Sequence, residues 1–137
     1  MFTGPIEDRV AINELNGTYA DGVVRIDADT WGTVWAEDAH WNLMGNKVDG
    51  KAAIVGFWEQ AMSGLEAVSF HCVPCMIEVT GNTAESRVQT QEIMLTKDGV
   101  TRHVGGLYED KLAKIDGEWR FTSRVFRIVA EFGAAEE

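Results

Sequence analysis

Apolar residues recur every four positions near the start of the chain, at Ala11, Leu15, Tyr19 and Val23, while Asp8 and Glu14 lie off that stripe. Residues four apart share one helix face, so the pattern predicts an amphipathic helix from Pro5 to about Val24. Pro5 suits the first turn, where its missing N–H has no intrahelical partner to lose. Ile26 to Asp29 breaks the stripe, and Asp29 or Thr30 can cap a short second helix through Trp35 or Ala36, with Glu37-Asp38 ending it. The period then changes to two. Trp41 and Leu43 alternate with His40 and Asn42, which predicts a strand from Ala39 to Met44. Gly45-Asn46 marks a turn. Asp49 or Gly50 opens a third helix through about Ser63, with Ile54, Phe57, Trp58 and Met62 on its apolar face.

The remainder reads as β. Strands are predicted at Ala67–Val79, Ala84–Thr96, Thr101–Lys114 and Glu118 to about Ala130, and Gly133 to Glu137 are expected to fray. Gly81-Asn82, Asp98-Gly99 and Asp116-Gly117 punctuate them with hairpin chemistry, so the strands form an antiparallel meander. The order α-α-β-α-β-β-β-β belongs to the α+β class. A strongly curved sheet with three N-terminal helices across its open side encloses a cavity, and no repeat or linker divides residues 1–137 into more than one domain.

Composition narrows the functions. A chain of 137 residues with 45% apolar and 25% charged residues suits one globular domain. No apolar run approaches the ~20 residues that cross a bilayer. The N-terminus lacks a basic segment followed by an apolar one, so no secretory leader is expected and the cytoplasm is the default compartment. A net charge of -10 disfavours nucleic acid and anionic membranes as partners. Cys72 and Cys75 are the two cysteines. Their flanks are β-like, where residues three apart point to opposite faces, so they read as reduced, mostly buried thiols. A single Cys-x-x-Cys pair cannot complete a four-ligand zinc site and the three scattered histidines lack ligand spacing, so no metal or cofactor is expected.

The stretch Ala67 to Met76 carries the first candidate for chemistry. His71 enters a predicted strand directly after a helix, and imidazole can take and return a proton near neutral pH. Taken alone, a histidine in an apolar run is better explained by core packing.

The chain resembles the SnoaL-like branch of the nuclear transport factor 2-like superfamily over nearly its whole length. The resemblance rests on Ile12 to Tyr19, Asp27-Ala28-Asp29-Thr30-Trp31, and Trp35 to Trp41. Gly50 with Ile54 and Phe57-Trp58, His71, and the turn Gly81 to Ala84 continue it. Gly106 to Asp110, then Asp116-Gly117-Glu118-Trp119-Arg120-Phe121 with Arg124, complete it. It implies an α+β cone with a deep apolar pocket. Its members include scytalone dehydratase, bile-acid 7α-dehydratase, hexachlorocyclohexane dehydrochlorinase and polyketide cyclases, as well as non-catalytic binding subunits. Such proteins self-associate through the open sheet face, which implies a homodimer or homotrimer.

The resemblance also implies a catalytic pair. His71 and Asp27 match the positions where the dehydratases and the dehydrochlorinase hold a histidine and an aspartate. A neutral histidine can take a proton from carbon, and a carboxylate on its other nitrogen fixes the tautomer and stabilises the imidazolium. The alternative is that Asp27 caps the second helix and His71 fills space. Arg124 matches a cation that steadies a departing anion or an oxyanion. It shares strand parity with Arg120, so a single bulge decides which face it occupies, and a surface ion pair is the other reading. Tyr19 and Tyr108 are candidate hydrogen-bond donors. Ile26 stands where scytalone dehydratase has a tyrosine, which argues against its water-activating mechanism. Trp35, Trp41, Phe57, Trp58, Met44 and Phe126 are candidate pocket walls, Trp119 a core residue, and His103 a strand residue able to reach the pocket.

The function expected is a cofactor-independent lyase or isomerase acting on a small hydrophobic, cyclic or polycyclic compound. The competing reading is a non-catalytic binding or assembly protein of the same fold. An epoxide-hydrolase arrangement would need a second pocket carboxylate, for which Glu92 is the candidate. A ring-hydroxylating dioxygenase subunit would need a large iron-containing partner.

Overall fold

The computed structural model describes residues 1–133. The helices are α1 (Ile6–Arg25), α2 (Ala28–Gly32) and α3 (Lys51–Met62). The strands are β1 (Phe2–Thr3), β2 (Trp35–Leu43), β3 (Asn46–Asp49), β4 (Leu65–Thr80), β5 (Thr83–Thr96), β6 (Thr101–Ile115) and β7 (Glu118–Gly133). They form one sheet in the order β1-β4-β5-β6-β7-β2-β3. β4 to β7 make the expected antiparallel meander, while β2 joins β7 in parallel and β1 joins β4 in parallel. The fraying expected beyond Gly133 falls on residues outside those described; Gly133 itself ends β7.

α1 buries the predicted stripe: Leu15, Tyr19 and Val23 face the core with Ile12 and Asn16. It stops at Ile26, whose left-handed backbone (φ 50°) turns the chain and points its N–H back at Val23. α2 is shorter than predicted and begins earlier. Asp27, not Asp29 or Thr30, is its cap, and Trp35 and Ala36 already belong to β2. The sheet overrides the helical tendency there. Trp35 pairs with Phe121, and the Val34 carbonyl accepts the Phe121 N–H at 2.8 Å. The strands β1 and β3 were not predicted because two and four residues are too few to display a period.

Side chains on β5 alternate strictly, with Ala84, Ser86, Val88 and Thr90 buried on the helix side and their neighbours exposed. Register shifts interrupt the other long strands at Leu65/Ala67, Pro74/Met76, Gly105/Gly106 and Lys111/Leu112. Each bulge bends its strand and increases the local twist, which curls the sheet around the helices. At Gly106 the inner face has no room for a side chain, since a Cβ there would lie 2.3 Å from the Phe126 ring.

Beneath the helices lies an aromatic core. Trp31 is fully buried and stacks on Trp58, with centroids 4.5 Å apart and planes 9° from parallel. α1 reaches α2 closely because Gly22 has no Cβ; one there would lie 2.8 Å from the Trp31 backbone. Trp119 donates its indole N–H to Asp8 at 3.0 Å, tying the β6–β7 hairpin to the start of α1.

Candidate active site

The curved sheet and helices enclose a cavity of about 340 Å³. Tyr19 from α1, Trp58 from α3, Trp41 from β2 and Tyr108 from β6 line its depth. Met44, Met62, Met94 and Arg102 are also in its wall. Phe70, Glu92 and Phe126 complete the polar and aromatic lining. Of the expected binding residues, Tyr19, Trp41, Trp58 and Tyr108 are thus in place, as are Met44 and Phe126.

Three others are not in the lining. Trp35 is packed inside the core between Trp31, Trp41 and Phe121. Phe57 is 39% exposed and meets the edge of Trp41 from outside. His103 sits on the outer face of β6, where it touches Phe132 and bonds Gln91 at 3.1 Å; its neighbours Arg102 and Val104 take the pocket side. His40 is also outside, paired with Asp49 at 2.7 Å.

The expected dyad does not assemble. His71 is exposed on β4, while Phe70 on the other face of the strand lines the cavity and Cys72 donates its thiol to the Asn16 carbonyl at 3.7 Å. Strand alternation makes this unavoidable: if residues 70 and 72 face inward, residue 71 faces outward. Asp27 is engaged elsewhere. Its carboxylate accepts the Asp29 and Thr30 N–H groups at 3.1 and 3.3 Å and the Thr30 hydroxyl at 2.8 Å, and it pairs with Arg25 at 3.1 Å. The Thr30 bonds, with a smaller contribution from Arg25, hold its pKa below the usual carboxylate value. It is the helix cap of the alternative reading.

Arg124 faces inward, and the reason is visible in β7. The register shift at Lys111/Leu112 breaks its parity with Arg120, so Phe121, Arg124 and Phe126 are all buried while Arg120 pairs with Glu118 at the periphery. Arg124 is 1% exposed. Its guanidinium forks onto Asp110, with Nε donating to Oδ1 at 2.8 Å and Nη2 to Oδ2 at 3.0 Å. Nη2 also reaches Asn16 at 3.2 Å, and Ser86 donates to Asp110 at 2.9 Å. The guanidinium carbon lies 3.8 Å from the Tyr108 ring centre and 4.6 Å from that of Tyr19. The arginine therefore lies behind the tyrosines and supports them, and is not itself in the cavity lining.

The two tyrosine hydroxyls meet at 2.7 Å, and Trp41 donates its indole N–H to the Tyr108 oxygen at 3.2 Å. Burial pushes the Tyr108 hydroxyl up to about 12 against the opposing Arg124 charge, and burial raises Tyr19 well above the ordinary value. Both therefore keep their protons at neutral pH. The pair holds two hydroxyl protons and spends one on its mutual bond. The other is available to an oxygen atom of a ligand.

Glu92 is the titratable group that the sequence reading undervalued. It lies half-buried on the inner face of β5. Burial raises its carboxyl to about 7, and the charge of Arg102 offsets only part of that rise. A carboxyl poised near neutrality can give or take a proton at little cost. The available signal was the alternation Val88, Thr90, Glu92, Met94, which puts an acid on a face otherwise free of charge.

Residues 5–125 match the family of SnoaL-like domains. The chain is a member of the SnoaL-like family. No curated protein matches it. Among solved structures, a Novosphingobium aromaticivorans protein provisionally described as an aromatic ring hydroxylase is 26% identical, with 98% of each chain covered and a TM-score of 0.89. A protein of the same organism, provisionally described as a scytalone dehydratase, is 20% identical, covering 94% of this chain and 89% of that one at a TM-score of 0.86. Hexachlorocyclohexane dehydrochlorinase LinA-type3 of Novosphingobium barchaimii is 15% identical, covering 96% and 93% at a TM-score of 0.85. At these identities the likeness is one of fold. No helix among the described residues is long and apolar enough to cross a membrane.

Proposed function

We propose that this SnoaL-like protein is a cofactor-independent lyase or isomerase for a small hydrophobic, cyclic compound, with Glu92 as the proton-transfer group. The observation that carries the reading is a carboxyl of pKa about 7 in the wall of an aromatic cavity that also holds a spare tyrosine proton. The Glu92 carboxylate takes a proton from a substrate carbon. The spare hydroxyl of the Tyr19–Tyr108 pair hydrogen-bonds the substrate oxygen on which charge develops. In an isomerisation the protonated Glu92 returns the proton to another carbon. In a dehydration the proton that Glu92 took from carbon passes to the leaving hydroxide, which departs as water and leaves Glu92 as the carboxylate again. Trp41, Trp58 and Phe70 hold the ring. The family resemblance supports a homodimer or homotrimer, and the N-terminal sequence supports the cytoplasm as its compartment.

The test is deuterium wash-in from D2O into a panel of cyclic ketones and hydroxyketones, read by mass spectrometry. Glu92→Gln should slow exchange by roughly 100- to 10,000-fold. His71→Gln should leave it unchanged. Equal exchange by wild type and Glu92→Gln would overturn the assignment. One observation favours a non-catalytic binding protein instead: the histidine and aspartate of the dehydratase pattern do not meet. That reading expects bound ligand to be recovered unchanged from every variant.

A further inference from the structure

We infer that Arg102 selects a substrate bearing an anionic group, a carboxylate attached to an apolar ring, by holding that group in the cavity wall. The inference deepens the proposed function and rests on its reading of this cavity as the site. Arg102 is the one cationic side chain in the lining among the described residues, and Glu92 is the one acid. Its side chain is 39% exposed, whereas the tyrosine pair is buried. The cavity is thus polarised, with the aromatic floor and tyrosine hydroxyls at depth and a guanidinium with access to water.

Arg102 is held in place from the outside. One nitrogen, Nη2, bonds Glu131 across the β6–β7 ladder. Among the described residues, Nε and Nη1 have no protein acceptor. An arginine presents five N–H donors in a fixed fork and suits a planar carboxylate. Glu131 orients the fork without consuming it. The whole chain carries a net charge of -10, so an anion would be repelled unless a local cation received it. The apolar body of the ligand has its own wall in Trp41, Trp58 and Phe70, and a two-ring aromatic acid is compatible with about 340 Å³.

Isothermal titration calorimetry with 2-naphthoate and the uncharged, nearly isosteric 2-naphthamide tests the inference. Wild type should bind naphthoate about tenfold or more tighter, the range of a charge-assisted hydrogen bond. Arg102→Gln should bring the two affinities within about twofold, by loss of naphthoate binding alone, and Arg102→Lys should retain part of the preference. Glu131→Gln, which removes the bond that orients the fork, should weaken naphthoate several-fold and serves if Arg102→Gln fails to fold. Equal binding of both probes to wild type, a preference that survives Arg102→Gln, or naphthoate binding indifferent to Glu131→Gln would each overturn the inference while leaving the Glu92 proposal standing. Binding of neither probe overturns this inference and the reading of the cavity together.

Discussion

Tyr19 and Tyr108, 89 residues apart in sequence, share a 2.7 Å hydroxyl–hydroxyl hydrogen bond in the interior. The Tyr108 oxygen also accepts the Trp41 indole N–H, so the two tyrosines are not equivalent. Tyr108→Phe strands a buried donor on Trp41, at a cost of about 1 to 3 kcal/mol, whereas Tyr19→Phe leaves the Trp41 bond intact and costs about 1 kcal/mol. Urea denaturation should therefore rank Tyr108→Phe as the more destabilising change. The reverse order would mean that the indole bond carries little.

Glu92 makes stability depend on pH in a definite direction. Its carboxyl is raised from 4.5 to about 7, so between those values the folded chain holds a proton that the unfolded chain has released. Stability from this group is full below about pH 4.5 and is lost as pH rises through 7. Glu92→Gln removes the loss. Its melting temperature should exceed wild type by roughly 3 °C or more at pH 8, and the gap should close near pH 4.5. Arg102 is the charged group that acts on this titration, lowering it against the burial. A gap independent of pH would remove the raised carboxyl from the account.

The buried fork between Arg124 and Asp110 should respond unevenly to mutation. Replacing Asp110 by Ala leaves an arginine that is 1% exposed without its counter-charge, and such a loss costs about 3 to 5 kcal/mol. Arg124→Met combined with Asp110→Leu removes both charges and should recover part of that loss. Chemical denaturation of the single and double variants measures the difference. The tyrosines lose their supporting cation in the double variant alone, so that variant should also bind pocket ligands more weakly.

Asp27 and His71 separate a helix cap from a catalytic pair. Asp27→Ala should lower stability by about 1 kcal/mol through the lost α2 cap. His71→Ala, at an exposed strand position, should change stability by no more than about 0.5 kcal/mol. Coupling between them in a double-mutant cycle should be near zero, and a clear coupling would show that the two meet in solution.

Gly22→Ala puts a Cβ 2.8 Å from the Trp31 backbone. Backbone cannot swing away as a side chain can, so α2 must shift, at about 1 to 3 kcal/mol. Thermal unfolding reads this, and a neutral effect would mean that the helices separate freely.

Local patterns determined much of this protein. The four-residue stripe of α1, the alternation of β5 and the Gly and Asp-Gly turns each describe an interaction within a few residues, and they placed α1, α3 and the starts of the meander strands within a residue or two, while the end of α2 and the start of β2 were decided by sheet pairing. Asp27 shows where local reading stops. Its type suits a cap and a catalytic carboxylate equally, and only the positions of Thr30 and Arg25 around it decide. His71 and Arg124 were decided by register. On a strand each step reverses the face, so the side chain of His71 follows from Phe70 and Cys72 facing inward, and that of Arg124 from one extra residue near Lys111/Leu112. Bulges leave no periodic trace because they are single events. The same holds for Glu92. The sequence by itself specified an acid on an alternating strand, but its pKa of about 7 arises from burial under helices that are distant in the chain, because desolvation depends on what surrounds a group in space.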